Sequence, residues 1–360
     1  MRHFFLSVIA AAFLPAMAHA VKVTDPTGDP LARASVFAAN GSIAGVCGDD
    51  GSIPDFPASL YPLTIRYVGF EPAVISTPST TDVTMRPVSY DLPELVIDNK
   101  SRNVLHLIGY MREYSTMATT RDTSLLYSEK VVDFMIPREK VKKLKGWTSP
   151  RVLARRDYAL FTNSEGLDSV SNEIDDSFTW SQLVNIVRER IAVPDSLLDG
   201  SVRAVTVPGK YSPQMQWRRV GDDYTLDIDM LADKKDHVWS PNFLKFFGLT
   251  TDFAELGTTY LFNDISGDGI SAENVSRSTF GIKALCRGKM LKWASRTKEP
   301  FKLDSYYEFY VTERQYLTPE EAREWQDNPP RPSSLEIRAP EGVMPPDAAT
   351  MRLVERVEAL

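Results

Sequence analysis

From residue 21 onward the chain is dominated by alternation of apolar and polar side chains, the period of a half-buried strand. Leu63-Thr64-Ile65-Arg66-Tyr67-Val68 is the clearest case, and Gly69 ends it. Shorter runs precede it at Val21-Lys22-Val23 and Ala34-Ser35-Val36-Phe37-Ala38. Turn-forming stretches separate them: Asp25 to Pro30, Ala39 to Ser42, and Gly48-Asp49-Asp50-Gly51. Asp82-Val83-Thr84-Met85-Arg86 reads as an edge strand that Pro87 stops. Short strands at this spacing, with no helical period, predict a small β-sandwich over residues 21–92.

A polar linker, 93–102, leads to a larger mixed region over 103–328. Tyr127 to Ile136 reads as a strand buried on both faces near its end, closed by Pro137. Ser201 to Leu231 predicts strands joined by turns, the sharpest at Gly221-Asp222-Asp223. Ser276 to Leu285 and Ser305 to Thr312 are further strands. In the second, Tyr307, Phe309 and Val311 face one way and Tyr306, Glu308 and Tyr310 the other. Helical spacing is rarer. Thr179 to Ile191 has a capping box (Thr179, Gln182) and a stripe of Trp180, Leu183, Val184, Val187 and Ile191. Asn242 to Phe247 predicts a short helix, and Thr318-Pro319-Glu320-Glu321 opens another that runs to about Asp327. The tail, 329–360, is rich in Pro and charge, expected to be extended up to Pro346, with a short helix over 348–360 carrying Met351, Val354 and Val357 or Glu358. The fold class this predicts is α+β, mostly β: a small seven-stranded sandwich, then a larger domain with antiparallel sheet and a few helices.

The first twenty residues differ from the rest. Arg2 and His3 precede an apolar run, Phe4 to Pro15, and Ala18-His19-Ala20 supplies a small-x-small cleavage pattern. This order is that of a secretory signal peptide, 1–20, and the run is too short to span a bilayer. The mature chain is then expected to be exported to the periplasm or cell envelope, with no transmembrane segment. Its net charge, −7 for the whole chain and one unit more negative without Arg2, argues against a nucleic-acid partner. Cys47 and Cys286 fall in different predicted domains, so two separate thiols are expected rather than a bridge.

Two resemblances rest on particular residues. Val23-Thr24-Asp25, Gly28, Pro30-Leu31, Ala34-Ser35-Val36, Gly45, Asp50-Gly51-Ser52-Ile53 and Leu63 to Phe70 resemble the carboxypeptidase-regulatory-like module, a transthyretin-like seven-stranded sandwich. The likeness covers about a fifth of the chain. It departs at Gly45-Val46-Cys47-Gly48, where the family more often has a Thr. Leu92 to Ile97 resembles the segment that commonly leaves such modules. They stand at the N-terminus of outer-membrane receptors and other Gram-negative envelope proteins, and in carboxypeptidases they carry none of the catalytic machinery. The resemblance therefore implies scaffolding or interaction. Further on, His237 to Pro241, Arg287 to Trp293, Lys298 to Phe301, Asp304 to Glu308 and Tyr316 to Ala322 resemble the C-terminal part of envelope proteins bearing the same module, a group without an assigned chemistry.

Catalytic signatures are few. Without the leader only His106 and His237 remain, and two His with two widely spaced Cys fall short of a zinc ligand pattern. No cofactor or metal is expected. The G-x-S-x-G elbow and the phosphate-binding glycine fingerprints are absent. Asn263 to Gly269 has the alternating acids of a calcium loop, but Val275 stands where the bidentate Glu would be, so a polar turn is the simpler reading. The pairs Asp175-Asp176, Asp222-Asp223 and Asp227 with Asp229 are ordinary for turns, although a carboxylate pair is what a glycosidase needs. Basic runs at Arg138 to Lys145 and Arg287 to Lys298 interleave apolar residues and suit a solvated face, or an anionic glycolipid. His237, Trp239, Trp293 and Arg287 are the candidate ligand contacts. The reading is a non-catalytic exported envelope protein that interacts with an envelope or outer-membrane partner. Its alternatives are a periplasmic glycan- or peptide-binding protein and a hydrolase with an unrecognised carboxylate site.

Overall fold

The computed structural model describes residues 21–78, 82–88, 102–174, 180–242, 245, 248–263, 265, 269–288 and 299–360. Residues 1–20, the linker up to 101, and Thr179 lie outside them, as do most of the Asn263 to Gly269 segment and Trp293.

The chain is mostly β, with antiparallel sheets and few helices. Residues 21–88 carry six short strands among the described residues: β1 (Val23–Thr24), β2 (Ser35–Phe37), β3 (Ile43–Val46), β4 (Leu63–Arg66), β5 (Ala73–Ile75) and β6 (Val83–Thr84). Strands β1 and β6 pair in parallel, and the other four form a sheet in the order β3-β2-β4-β5. Val23, Leu31, Val36, Ile65, Tyr67 and Phe70 lie in the core that these two sheets share.

The larger region is built on one ten-stranded antiparallel sheet. Its first meander comprises β7 (Val104–Ala118), β8 (Thr123–Pro137), β9 (Trp147–Thr162) and β10 (Asp168–Ser171). After a short β11 (Ile191–Ala192) comes α1 (Asp195–Leu198). The second meander follows, with β12 (Ala204–Pro208), β13 (Pro213–Val220), β14 (Asp223–Asp229) and β15 (Leu249–Phe262). It continues through a short β16 (Gly269–Ile270) to β17 (Val275–Gly288) and β18 (Phe301–Leu317). The sheet order is β10-β9-β8-β7-β18-β17-β15-β14-β13-β12. Strand β18 pairs with β7 along nearly its whole length and joins the two meanders. Where that ladder bulges, Gly109 gives β18 room, since a Cβ there would overlap the Tyr310 carbonyl and the Phe309 ring. Two helices close the chain, α2 (Pro319–Asp327) and α3 (Ala348–Glu358).

This order has a topological consequence. Strands β10 and β12 are the two edges of the sheet, so residues 172–203 must cross its full width, about 43 Å at ~4.8 Å per strand spacing. The described residues 180–203 run on one face, here called inner, where Val184, Ile186, Val193 and Leu197 join Leu107, Phe134, Trp217, Phe262, Phe280 and Phe309 in a single core. The helix expected over 179–191 is therefore corrected. Its described part is a 3-10 turn, Ser181–Leu183, followed by extended chain and β11. The apolar residues are buried as a strap, and the β-branched Val184, Ile186, Val187 and Ile191 suit that extended path better than a helix. The Ile186 amide donates to the Thr148 carbonyl at 2.8 Å, and the Tyr260 hydroxyl donates to the Asn185 carbonyl at 2.7 Å. Beneath the strap, Glu113 accepts from Lys130 and from the Tyr307 hydroxyl, which in turn accepts the Trp180 amide at 3.0 Å.

Other expectations hold. The Tyr127–Ile136 strand is the centre of β8. Residues 201–231 form three strands turning at Gly221. In β18 Tyr307, Phe309 and Val311 are inner while Tyr306 packs on the opposite side. Helix α2 has its capping box, Thr318 with Glu321. Of residues 242–247 only 242 and 245 are described, both helical. Helix α3 forms, but it buries Leu353 and Val357 and leaves Met351 exposed, because its contacts are with β9 and β10. The tail before it lies mostly in irregular chain with one 3-10 turn, Pro332–Ser334. Cys47 and Cys286 are separate, buried thiols.

Candidate functional site

Each of the two described histidines, His106 and His237, sits against an aspartate. His106 projects from β7 on the outer face and is fully buried. Its Nε2 shares a hydrogen bond with Asp133 Oδ2 at 3.0 Å, and its Nδ1 meets Gln315 Nε2 at 3.3 Å. Asp133 also accepts from Arg151 (2.9 and 2.7 Å), Trp147 Nε1 (3.2 Å) and Trp325 Nε1 (2.7 Å). Burial alone would raise its pKa, but the hydrogen bonds from His106, Arg151 and Trp325 hold the carboxyl below its ordinary value. This cluster pins α2, which carries Trp325, to β7 and β8.

His237 lies in a tight turn after β14. Its Nε2 meets Asp229 Oδ2 at 2.7 Å and its Nδ1 meets the Ala254 carbonyl at 3.2 Å. Asp229 also accepts the Leu231 amide at 2.8 Å and the Ser212 hydroxyl at 3.2 Å. In both pairs the second ring nitrogen is occupied by an amide or a carbonyl. Among the described residues neither imidazole bridges a hydroxyl or thiol nucleophile to its acid, the geometry a hydrolytic triad requires. The thiols are poor nucleophiles as well. Burial and the nearby Asp50 charge push Cys47 up to about 12, and burial pushes Cys286 up to about 11 against a Thr251 hydrogen bond.

Three of the four candidate contact residues converge on residues 252–254 of β15. His237 reaches the Ala254 carbonyl, Trp239 stacks on Phe253 at 5.5 Å, and Arg287 pairs with Asp252. Each is thereby engaged within the fold, and Ser240 donates to the same Asp252 at 2.5 Å. Trp293 lies outside the described residues, as do Asp264, Ser266, Asp268 and the pair Asp175-Asp176. Among the described residues no three His, Cys, Asp or Glu side chains come together as metal ligands would.

The polar concentration that sequence reading missed is the outer face of the long sheet, where residues 21–88 and the C-terminal tail settle. Glu308 of β18 takes Arg66 from the N-terminal unit at 3.0 Å and Arg112 from β7 at 3.7 Å. Arg112 also donates to the Met344 carbonyl at 2.6 Å. Phe37 packs edge-on against Tyr114 and Tyr306, each at 5.4 Å, and the row continues through Tyr127 to Tyr158. Nearer β12, Arg218 Nη1 pairs with Asp25 at 3.2 Å and Tyr67 donates to Asp227. Burial raises the pKa of Asp227, against hydrogen bonds from Thr259 and Tyr67. Arg33 reaches Asp229 at 3.6 Å. Its backbone is left-handed (φ 60°), and a Cβ on Gly257 would overlap its guanidinium, so both residues serve that approach. A small cavity of about 40 Å³ remains between the N-terminal unit, β17, β18 and the tail, with Arg66, Arg277 and Tyr310 in its wall. A legible signal did exist in the sequence. The outward positions of β7 (Tyr110, Arg112, Tyr114) and β18 (Tyr306, Glu308, Tyr310) alternate aromatic and charged residues, unlike a solvent face.

No protein-family model matches the chain, and no curated protein matches it. One solved structure, described by lipid–protein interactions in lipovitellin, is similar at 7% identity over 59% of this chain, with a TM-score of 0.28. The match takes in 25% of that longer chain. At such a score it carries no argument about fold or function.

Among the described residues no helix is long and apolar enough to cross a membrane.

Proposed function

We propose that the chain is a non-catalytic protein of the cell envelope, exported by its N-terminal leader and acting by interaction or scaffolding, with residues 21–92 as a carboxypeptidase-regulatory-like module. The observation that supports this most is the buried clamp. Arg66, Arg33, Tyr67 and Asp25 of the N-terminal unit are each bonded to the long sheet, so the unit is tied to it at four separate points. Rigid display of surfaces is what a docking protein needs, and the scarce reactive groups are spent on holding the structure. The leader pattern and the module's turn residues support the location.

A glycan- or peptide-binding reading has one favourable feature. A cleft of about 470 Å³ between the N-terminal unit and the β12–β13 edge is lined by Phe70, Val202, Arg203 and Arg219.

Expression of the tagged full chain in a Gram-negative host, followed by fractionation and N-terminal sequencing, tests export. A start at Val21 in the envelope fraction is expected, and an intact Met1 in the cytosol sinks the location. Crosslinked capture from intact envelope then tests the role: a reproducible membrane-protein partner favours docking. Retention of oligosaccharides or peptides alone selects the cleft, and turnover of a glycan or peptide substrate overturns the non-catalytic reading.

A further inference from the structure

At one end of the long sheet the described surface becomes both apolar and basic. Tyr211, in the β12–β13 turn, is 54% exposed, while Met230 and Val238, in the loop after β14, are 39% and 43% exposed. The two segments are bonded together. The Tyr211 amide donates to the Ala232 carbonyl at 2.9 Å, and the Lys210 amide donates to Asp233 Oδ1 at 2.7 Å. Lys210, Lys234 and Lys235 border these apolar side chains, and Lys210 Nζ stands 5.1 Å from the Tyr211 ring centre. Lys245 is exposed in the segment that leads on to β15. Three acids share the rim: Asp233, engaged by that amide, Asp236, and Asp49 of the N-terminal unit, whose carboxylate interacts with Asp229 and His237. The four lysines named outnumber these three carboxylates by one, although the chain as a whole is acidic.

The backbone of this rim is strained. Asp236 and His237 are successive non-glycine residues with φ of 57° and 52°. Non-glycine residues in this region persist only where their surroundings over-determine them. Here the His237 bonds to Asp229 and Ala254 do so. This turn carries Lys234, Lys235 and Val238 beyond the end of β14, and the next residue, Trp239, is bridged to Phe253 of β15. Strand β17 stops at Gly288 and β18 starts at Phe301 at this same end. The sequence between them, Lys289 to Lys298, has the same basic and apolar mixture, although the surface does not depend on it.

We infer that this rim docks on an anionic lipid bilayer. An aromatic ring and two apolar side chains, with lysines close by in the same segments, match the interfacial zone, where apolar side chains enter the headgroup layer and lysines are drawn to anionic lipid. A protein partner is the less suited occupant, because lysines are depleted in the centre of protein interfaces. The inference gives the envelope reading its partner but stands apart from it. Vesicle binding is measured on purified chain whether or not the leader is cleaved in the cell.

The test is flotation of the chain from residue 21 onward with vesicles of phosphatidylcholine alone or with about 30% phosphatidylglycerol, at ~0.1 M and ~1 M salt. Binding to the anionic vesicles only, weakened by salt, is expected. Lys234→Glu with Lys235→Glu, and separately Tyr211→Ser with Val238→Ser, should each lower it at least about tenfold. Lys140→Glu with Lys142→Glu, at the opposite end of the sheet, should leave it unchanged. Should either rim pair lower the melting temperature, Lys235→Gln, an exposed single change, carries the test, with a reduction of a few-fold expected. Failure to float, or equal loss from the two ends, overturns the proposal. An exported chain that ignores vesicles removes this surface and leaves the envelope reading standing.

Discussion

The two faces of the long sheet are covered by different means. On the inner face, Leu107, Phe134, Phe280 and Phe309 meet the apolar strap that joins the sheet edges. On the outer face, Arg112, Glu308, Tyr114 and Tyr306 meet Arg66 and Phe37 of the N-terminal unit. Apolar packing is non-directional and tolerates an irregular strap. A polar cover works only in one alignment, since each charge taken out of water needs its partner in place. The inner cover therefore supplies burial, and the outer cover fixes where the N-terminal unit sits.

The largest effects should separate these modes. Phe309→Ala empties a buried site that touches Phe134 at 5.0 Å and should cost ~3–5 kcal/mol in urea unfolding. Glu308→Ala removes the carboxylate shared by Arg66 and Arg112 and should cost a similar ~3–5 kcal/mol. The two differ in rescue. Adding Arg66→Met to Glu308→Ala should recover part of the loss, because the stranded charge goes with it, and a double-mutant cycle should show coupling above ~1 kcal/mol. No second substitution at Arg66 should rescue Phe309→Ala. Additive effects at Arg66 and Glu308 would mean the clamp is only a contact list.

The same contrast explains what could be read from the sequence. Strands β8, β14, β17 and β18 and helix α2 were legible, because alternation and a capping box are local signals. The strap was misread as a helix. Trp180, Leu183, Val184, Val187 and Ile191 do fall at helical spacing, but the need to cross from β10 to β12 is a property of the sheet order, invisible in any window of the chain. His237, Trp239 and Arg287, read from the sequence as candidate ligand contacts, gather on residues 252–254. Their engagement there depends on Asp229 and Asp252, partners that only the register of β14, β15 and β17 supplies. The outer-face network spans more than 200 residues between Arg66 and Glu308, and no spacing rule reaches that far.

A smaller effect should appear with pH. Asp304, on the outer side of β18, is pushed up to about 6 from 3.8, chiefly by burial, with Lys283 opposing and Glu255 reinforcing. A carboxyl that binds its proton more tightly when folded favours the fold at low pH. Its contribution is lost as pH rises from about 4 through about 6. Asp133 has the opposite sign, since its folded value is depressed and its stabilisation fades as pH falls. Asp304→Asn should therefore stabilise the chain above pH 6, by at most ~2–3 kcal/mol, and flatten the acid side of the stability profile. Unchanged stability at pH 7 would mean that solvent reaches the carboxyl far more freely than its 22% side-chain exposure implies.

The smallest effect is expected where the sequence suggested a ligand contact. Arg287 pairs with Asp252, but its side chain is 47% exposed, and ion pairs so open to solvent contribute ~0–1 kcal/mol. Arg287→Ala should shift stability by less than ~1 kcal/mol, and Trp239→Ala by more, because that ring stacks on the buried Phe253. The ranking inverts the one a ligand site would give. A recognition arginine can be dispensable to the fold yet indispensable to binding, so capture from intact envelope measured on the same Arg287→Ala chain decides between a surface ion pair and a contact. Normal stability together with lost binding would reinstate Arg287 as a functional residue.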